Sequence, residues 1–235
     1  MWGTIINQNV ANMKQLEINV FYFDELSKEV QDKVIERERW NVMDSLMSCS
    51  CVDFQKTLDE FQKITDSYVS SYQVDYCGCC FGKTRSDKVV YDDIDLEDLS
   101  GKLLFRYINN EIMPYLQERK KFYSFGKRDK NGREKSRRSR ILTTTLDDCP
   151  LTGIGWDYIV LKPLFDYYYN WARPEYRNYT FTDVMSNCYA ELFNSLYDEY
   201  QYCASDDFVR EELLNKDDEY YENGEQCVGY VHSVA

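Results

Sequence analysis

The hydrophobic residues of this chain change period along its first third, and that change points to a mixed fold rather than a purely helical or purely stranded one. Residues 16–23 (LEINVFYF) are dense in Ile, Val, Phe and Tyr and predict a strand. Ser27 then suits the start of a helix running to about residue 47, with Val30, Val34, Val42 and Leu46 tending to one side. A second helical stretch places Phe54, Leu58, Phe61 and Ile64 at three- and four-residue spacing. Over residues 68–76 (YVSSYQVDY) the period falls to two, with Tyr72, Val74 and Tyr76 alternating against polar residues, as in a half-buried strand.

Residues 77–95 read as irregular, and Leu96 to Phe122 as a longer helix with Leu99, Leu103, Tyr107 and Ile108 on one stripe. Pro114 should end or kink that helix. Further on, Cys149-Pro150-Leu151-Thr152-Gly153 reads as a turn, followed by a helix from about Trp156 to Trp171. Thr180 or Thr182 should cap another helix, whose face is marked by Phe181, Met185, Cys188, Leu192 and Leu196. A short acidic helix near 205–216 precedes Glu222-Asn223-Gly224-Glu225, and Asn-Gly between Tyr and Val residues is a strong hairpin signal. The expected fold is therefore α+β. A small, mostly antiparallel sheet (the N-terminal strand, the strand near 68–76 and the C-terminal hairpin) would pack with several helices. Met13 opens MKQLEINVFYF, so residues 1–12 read as an extension and 13–235 as one domain.

Charge sets the class of partner. The 28 Lys+Arg against 41 Asp+Glu leave −13, which repels nucleic acid and anionic membrane at long range and attracts basic surfaces. One segment breaks the pattern. Gly126–Arg140 (GKRDKNGREKSRRSR) carries eight basic and two acidic residues, +6, so the remainder carries −19. It has no apolar residue to bury and reads as a mobile basic loop. Lys127, Arg128, Arg137 and Arg138 are its candidate contacts to nucleic acid, although nucleic-acid binding normally shows a basic face on the folded domain. Residues 191–226 are the opposite: twelve acidic against two basic side chains, a net of −10, interleaved with Tyr197, Tyr200, Tyr202, Tyr220 and Tyr221. Carboxylates on a rigid helix can compete with a phosphate backbone for Lys and Arg. Asp206, Asp207, Glu211 and Glu212 are the candidate contacts, and the run Tyr167-Tyr168-Tyr169 offers a second surface.

No assembled catalytic motif stands out. P-loop, dinucleotide-binding, HExxH and nucleophile-elbow patterns are absent from the sequence. Nine cysteines and one histidine, His232, give a thiol nucleophile little prospect of a neighbouring base. Cys49, Cys51, Cys77, Cys79 and Cys80 could supply thiolates to zinc, but C-x-C is off the C-x₂₋₄-C pattern of structural zinc knuckles, so free thiols are expected. The acidic run 92–98 fails the EF-hand template, and Asp95 reads instead as an N-cap for the Leu99 helix. No cofactor is expected. No apolar run approaches the ~18 residues that span a bilayer, and no leader pattern precedes residue 13, which suggests a cytoplasmic protein with reduced thiols.

Three segments carry a resemblance: Leu16–Lys33 (LEINVFYFDELSKEVQDK), Asp148–Trp156 (DCPLTGIGW) and Phe181–Gln226 with its closing DDEYYENGEQ. The FDELS start and the Cys-Pro-Leu-Thr-Gly turn resemble proteins of bacteriophages and prophages labelled antitoxin-like, of a toxin–antitoxin stability system. The resemblance covers about a third of the chain and leaves CGCC and the basic loop unmatched. It implies a phage accessory protein in the bacterial cytoplasm, of a kind that inhibits host defence by binding a nuclease or effector complex. The expectation is a non-catalytic inhibitor of a CRISPR effector or another immune nuclease. The alternatives are a protein that neutralises a toxin, or an RNA-binding or metal-stabilised regulator.

Overall fold

The computed structural model describes residues 19–91, 93–116, 121–124, 137–140 and 149–228. In chain order these begin with strand β1 (Phe21–Tyr22), a 3-10 turn (Phe23–Glu25) and helix α1 (Lys28–Thr65). Six short strands follow: β2 (Tyr68–Val69), β3 (Tyr72–Asp75), β4 (Gly78–Phe81), β5 (Thr84–Arg85), β6 (Val89–Val90) and β7 (Ile94–Asp95). A 3-10 turn (Leu96–Asp98) leads to α2 (Gly101–Tyr107), a π-helical turn (Ile108–Ile112) and α3 (Met113–Leu116). Then come β8 (Lys121–Ser124), β9 (Arg137–Arg140), α4 (Trp156–Asn170), α5 (Phe181–Cys203), α6 (Asp206–Leu214) and β10 (Glu219–Tyr220). The class is α+β. Among the described residues the strands pair only in twos, all antiparallel: β1–β10, β2–β5, β3–β4, β6–β7 and β8–β9. Ladders this short bury little, so the helices supply the core. No helix among the described residues is long and apolar enough to cross a membrane.

The two helices read from residues 27–64 are one helix of 38 residues. The Ser- and Cys-rich stretch 48–51 lies between the two, but such residues cost only about 0.7 kcal/mol each against alanine, and no Gly or Pro interrupts the run. Ser48 turns its hydroxyl back onto the Ser45 carbonyl at 2.9 Å. Ion pairs one turn apart, Lys33–Glu29, Lys56–Asp53 and Lys63–Glu60, line the exposed surface. The helix closes in a Schellman-type turn: Asp66 takes φ +54° and the Ser67 N–H reaches the Gln62 carbonyl at 3.3 Å.

The chain divides into two compact units, Met1–Val42 with Ser205–Ala235, and Met43–Ala204. The sequence gives no sign of the first boundary, because α1 runs through it unbroken. In the first unit, Phe23, Leu26, Val34, Ile35 and Val42 pack with Val209, Leu213 and Tyr220. The Asn-Gly signal holds there. Gly224 adopts φ +84°, Tyr221 N–H bonds the Glu225 carbonyl at 2.8 Å, and Tyr220 pairs with Phe21, so the chain end does return to the N-terminal strand.

In the second unit α4 packs along α5, and Phe193 stands at the centre of an aromatic cluster. Its ring lies 5.6 Å from Phe54, 4.9 Å from Tyr72 and 5.2 Å from Phe81. Thr180 caps α5 in a reciprocal box with Asp183, and the marked face (Phe181, Met185, Cys188, Leu192, Leu196) is buried throughout. Three expectations need correction. The segment 77–95 is not irregular but carries β4 to β7, and CGCC lies at and beyond the β3–β4 turn. The helix expected from Leu96 starts at Gly101, where Ser100 holds the N-cap position, while Asp95 flanks a 3-10 turn and makes no side-chain cap; Leu103 faces solvent. Of the two outcomes expected at Pro114, an end or a kink, the end does not occur, since α3 runs on to Leu116. The proline has no N–H to give, and just before it the Met113 N–H reaches back five residues to the Ile108 carbonyl, so a π turn absorbs the mismatch.

Candidate functional site

Helix α6 forms because Ser205 accepts the Phe208 N–H at 3.4 Å while Asp206 and Asp207 sit in the first turn, where the helix dipole favours carboxylates. Val209 and Leu213, four residues apart, are buried in the first unit's core. That anchoring turns Asp206, Asp207 and Glu211 outward and leaves Glu212 half-buried. The four carboxylates are not equivalent. Asp206 takes a 2.7 Å ion pair from Arg39, a largely buried guanidinium that also holds Glu36 at 2.8 Å. The Glu36 hydrogen bond, with Asp206 adding to it against the cost of burial, raises the Arg39 pKa above its ordinary value. The α6 cation, Arg210, is engaged by Gln31 at 2.8 Å and Asp32 at 3.0 Å. Among the described residues Asp207, Glu211 and Asp217 have no ion-pair partner. An acidic face made by α6 and the neighbouring residues Asp32 and Glu36 of α1 results, and the α1 contribution was not visible in the sequence.

The acidic stretch 191–226 is not one surface, since it passes from the second unit to the first at Ala204 and Ser205. Several of its polar groups serve α5. Glu191 pairs with Lys162 at 3.0 Å, Glu199 accepts from the Ser50 hydroxyl, and the Tyr200 hydroxyl meets the Cys51 thiol at 3.2 Å. Tyr220 is a core residue, 6.4 Å from Phe23, with burial pushing its pKa up to about 12. Tyr202 is exposed.

Residues 167–169 step around α4 by about 100° each and meet three environments. Tyr167 is 1% exposed, donates to the Gly101 carbonyl at 3.4 Å, and is pushed up to about 12 by burial. Its ring therefore offers almost no surface of its own to a partner. Tyr168 is half-buried, stacked 5.3 Å from Phe105, and donates to Asn109 Oδ1 at 2.7 Å. Only Tyr169 presents itself fully to solvent. Of the basic-loop candidates, Lys127 and Arg128 lie outside the described residues. Arg137 and Arg138 pair along the backbone with Ser124 and Tyr123, so this end of the segment is a strand rather than a loop.

The cysteines are scattered by local geometry. Cys49 and Cys51 lie two apart on α1, where such positions face different ways. Cys79 and Cys80 are neighbours on β4 and alternate across it, while Cys77 sits in a turn whose N–H, with that of Gly78, bonds Asp75 Oδ1 at 2.8 and 3.1 Å. Among the described residues no three His, Cys, Asp or Glu side chains are grouped to hold a metal ion, and His232 lies outside them. Burial raises the pKa of the Cys79 and Cys188 thiols, the reverse of what a thiolate nucleophile needs.

A feature missed in the sequence is Asp157. It is fully buried, in the first turn of α4, and accepts five hydrogen bonds. Its Oδ2 takes the N–H groups of Leu151, Thr152 and Gly153 at 2.9, 2.7 and 3.1 Å; its Oδ1 takes the hydroxyls of Thr152 at 2.7 Å and Thr57 at 3.0 Å. The Cys-Pro-Leu-Thr-Gly turn is thus a cradle wrapped on one carboxylate, and Gly153, at φ +82°, lets the backbone close round it. The sequence signal was an Asp four residues after the turn's glycine. Comparison with protein-family models, with curated proteins and with solved structures finds no match to this chain.

Proposed function

We propose that this chain is a non-catalytic inhibitor encoded by a bacteriophage, which acts in the bacterial cytoplasm by binding a defence complex and occluding its basic nucleic-acid surface. A CRISPR effector or another immune nuclease is the class of target. The observation that carries the reading is the outward face of α6: Asp207 and Glu211 are exposed, without a cation partner among the described residues, on a helix fixed by its cap and by Val209 and Leu213. From Ser205 to Val228 the chain holds nine acidic and two basic side chains, a net of −7, and Arg210 is already engaged. A basic surface is the partner this charge selects. The resemblance to phage accessory proteins through the FDELS and Cys-Pro-Leu-Thr-Gly segments supplies the biological setting. Burial raises the Cys79 and Cys188 thiols, which disfavours those two as nucleophiles, and the reading calls for no cofactor.

The test is capture with the tagged chain from phage-infected host lysate, followed by competition on the purified pair. A nuclease complex should be retained, be released by nucleic acid, and bind more weakly as salt shortens the Debye length. The variant Asp207→Asn/Glu211→Gln/Asp217→Asn, which spares the Asp206–Arg39 pair, should lose at least roughly tenfold in affinity with an unchanged fold. Binding that ignores salt, nucleic acid and all three substitutions refutes occlusion. Capture of a single small toxin would favour the antitoxin reading instead, and retention of nucleic acid itself would favour an RNA-binding one.

A further inference from the structure

Between α4 and α5 of the second unit lies an open recess of ≈ 300 Å³ walled by the half-buried Tyr176 and Tyr179 with the buried Tyr167 beneath them, and with Asp166, Asn187 and Glu191 among the polar groups. The rings form a mutually contacting triad. Tyr167 stands 6.2 Å from Tyr176 at 74° and 6.4 Å from Tyr179 at 16°, and Tyr176 is 5.3 Å from Tyr179 at 59°. Local structure fixes them. The segment after α4 is a chain of tight turns, with N–H to carbonyl bonds from Arg173 to Asn170 (2.8 Å), Tyr176 to Arg173 (3.1 Å) and Tyr179 to Tyr176 (3.1 Å). These turns carry Tyr176 and Tyr179, both half-buried, over the buried Tyr167.

Two carboxylates line the recess, and among the described residues no basic side chain does. Lys162 lies just outside and neutralises Glu191 in part through its 3.0 Å contact; Asp166 is exposed and has no ion-pair partner among the described residues. Tyrosine faces carry the negative side of a ring quadrupole, and a cation among several rings beside a carboxylate gains from both. An anion or an apolar ligand gains from neither. The planar guanidinium fits better than a compact ammonium: it stacks on rings and offers N–H donors in its plane to Asp166 and to the Asn187 amide oxygen.

We propose that this recess receives an arginine side chain of the partner. It lies in a different unit from α6, and the proposal rests on the function reading only in supposing that the partner is basic. The test therefore uses the isolated protein. N-acetyl-arginine amide is titrated while the ring resonances of the tyrosines are followed by NMR, with the isosteric but uncharged N-acetyl-citrulline amide as control. The arginine compound should shift Tyr176 and Tyr179 with a dissociation constant in the millimolar range, roughly tenfold or more below that of the citrulline compound. Asp166→Asn, at an exposed position that the fold does not need, should weaken binding by roughly fivefold or more. Tyr179→Leu should abolish binding, while Tyr179→Phe keeps the ring and should retain it. Equal binding of arginine and citrulline, no shift of the recess tyrosines, or indifference to Asp166→Asn each overturns the assignment. None of these results bears on α6, whose own variant is read against the partner.

Discussion

Asp157 gives the sharpest test of how this chain is held together. Asp157→Ala would leave the N–H groups of Leu151, Thr152 and Gly153 and the hydroxyls of Thr57 and Thr152 without their acceptor. An orphaned buried donor costs about 1–3 kcal/mol, and the turn is half-buried, so the lower figure applies to each backbone group. Three donors at about 1 kcal/mol, with the lost charge assistance at Oδ1, come to roughly 4 kcal/mol. Asp157→Asn is different. Its oxygen can still take the three N–H groups while its amide donates to the two threonine hydroxyls, which must turn their own protons away, one towards the other at 3.3 Å, so charge assistance and one hydroxyl acceptor are lost, roughly 1–2 kcal/mol. Urea unfolding followed by far-ultraviolet circular dichroism and by tryptophan fluorescence measures both, provided the slope against urea stays constant. In a chain of this size the Ala variant should melt roughly 8–16 °C lower. The reasoning fails if Ala costs less than about 1 kcal/mol, or if Asn costs as much as Ala.

Two further outcomes follow from particular contacts. A Cβ at Gly224 would lie 2.8 Å from Val30 Cγ1 and 3.0 Å from Val34 Cγ2, at φ +84°, so Gly224→Ala should cost about 2–3 kcal/mol by the same unfolding assay; a neutral result would mean that the turn does not sit on α1. Burial raises Tyr167 and Tyr220 to about 12. Both lose a proton near 10 when unfolded, so their contribution to stability is complete below pH 10 and is lost as pH rises through about 12. An alkaline titration of tyrosinate absorbance should show a late phase that coincides with unfolding, and full ionisation near pH 10 with the fold intact would contradict this.

What the sequence revealed was whatever a local period or a turn dipeptide can encode. The α5 face, its Thr180 cap, the acidic α6 and the Asn-Gly return were all legible because each depends on residues within a turn or two of one another. The continuity of α1 was not, because Ser and Cys at 48–51 lie between its two apolar stretches, and their small propensity costs say nothing of the packing of Phe54, Leu58 and Phe61 on the far side. The strands of 77–95 escaped for a similar reason: two to four residues are too few to show a period. At the candidate surface the sequence located Asp206, Asp207 and Glu211 on one exposed helix but could not show that Arg39, 167 residues away, already holds Asp206. The run Tyr167–Tyr169 misled because adjacency in sequence on a helix is dispersal in space.

That division of the carboxylates bears on how the charge acts. Sequence counts all 41 acidic residues alike, but the fold spends many of them internally: Asp157 in its cradle, Asp75 in the turn before Gly78, Asp183 in a cap, Asp66 on Lys88. A paired acid leaves the net charge of −13 unchanged, because its partner is counted too, so long-range attraction to a basic surface does not depend on which acids are paired. Short-range contact does. On the proposed reading, a partner guanidinium reaching Asp206 must displace Arg39, whereas Asp207 and Glu211 have no cation to give up among the described residues. Association rate and complex lifetime should therefore separate by position. Removing a distant exposed acid slows encounter in proportion to charge, while removing Asp207 or Glu211 also shortens the bound state. Removing Asp206 acts first on the folded protein itself, by taking from Arg39 one of its two carboxylate contacts and leaving it on Glu36.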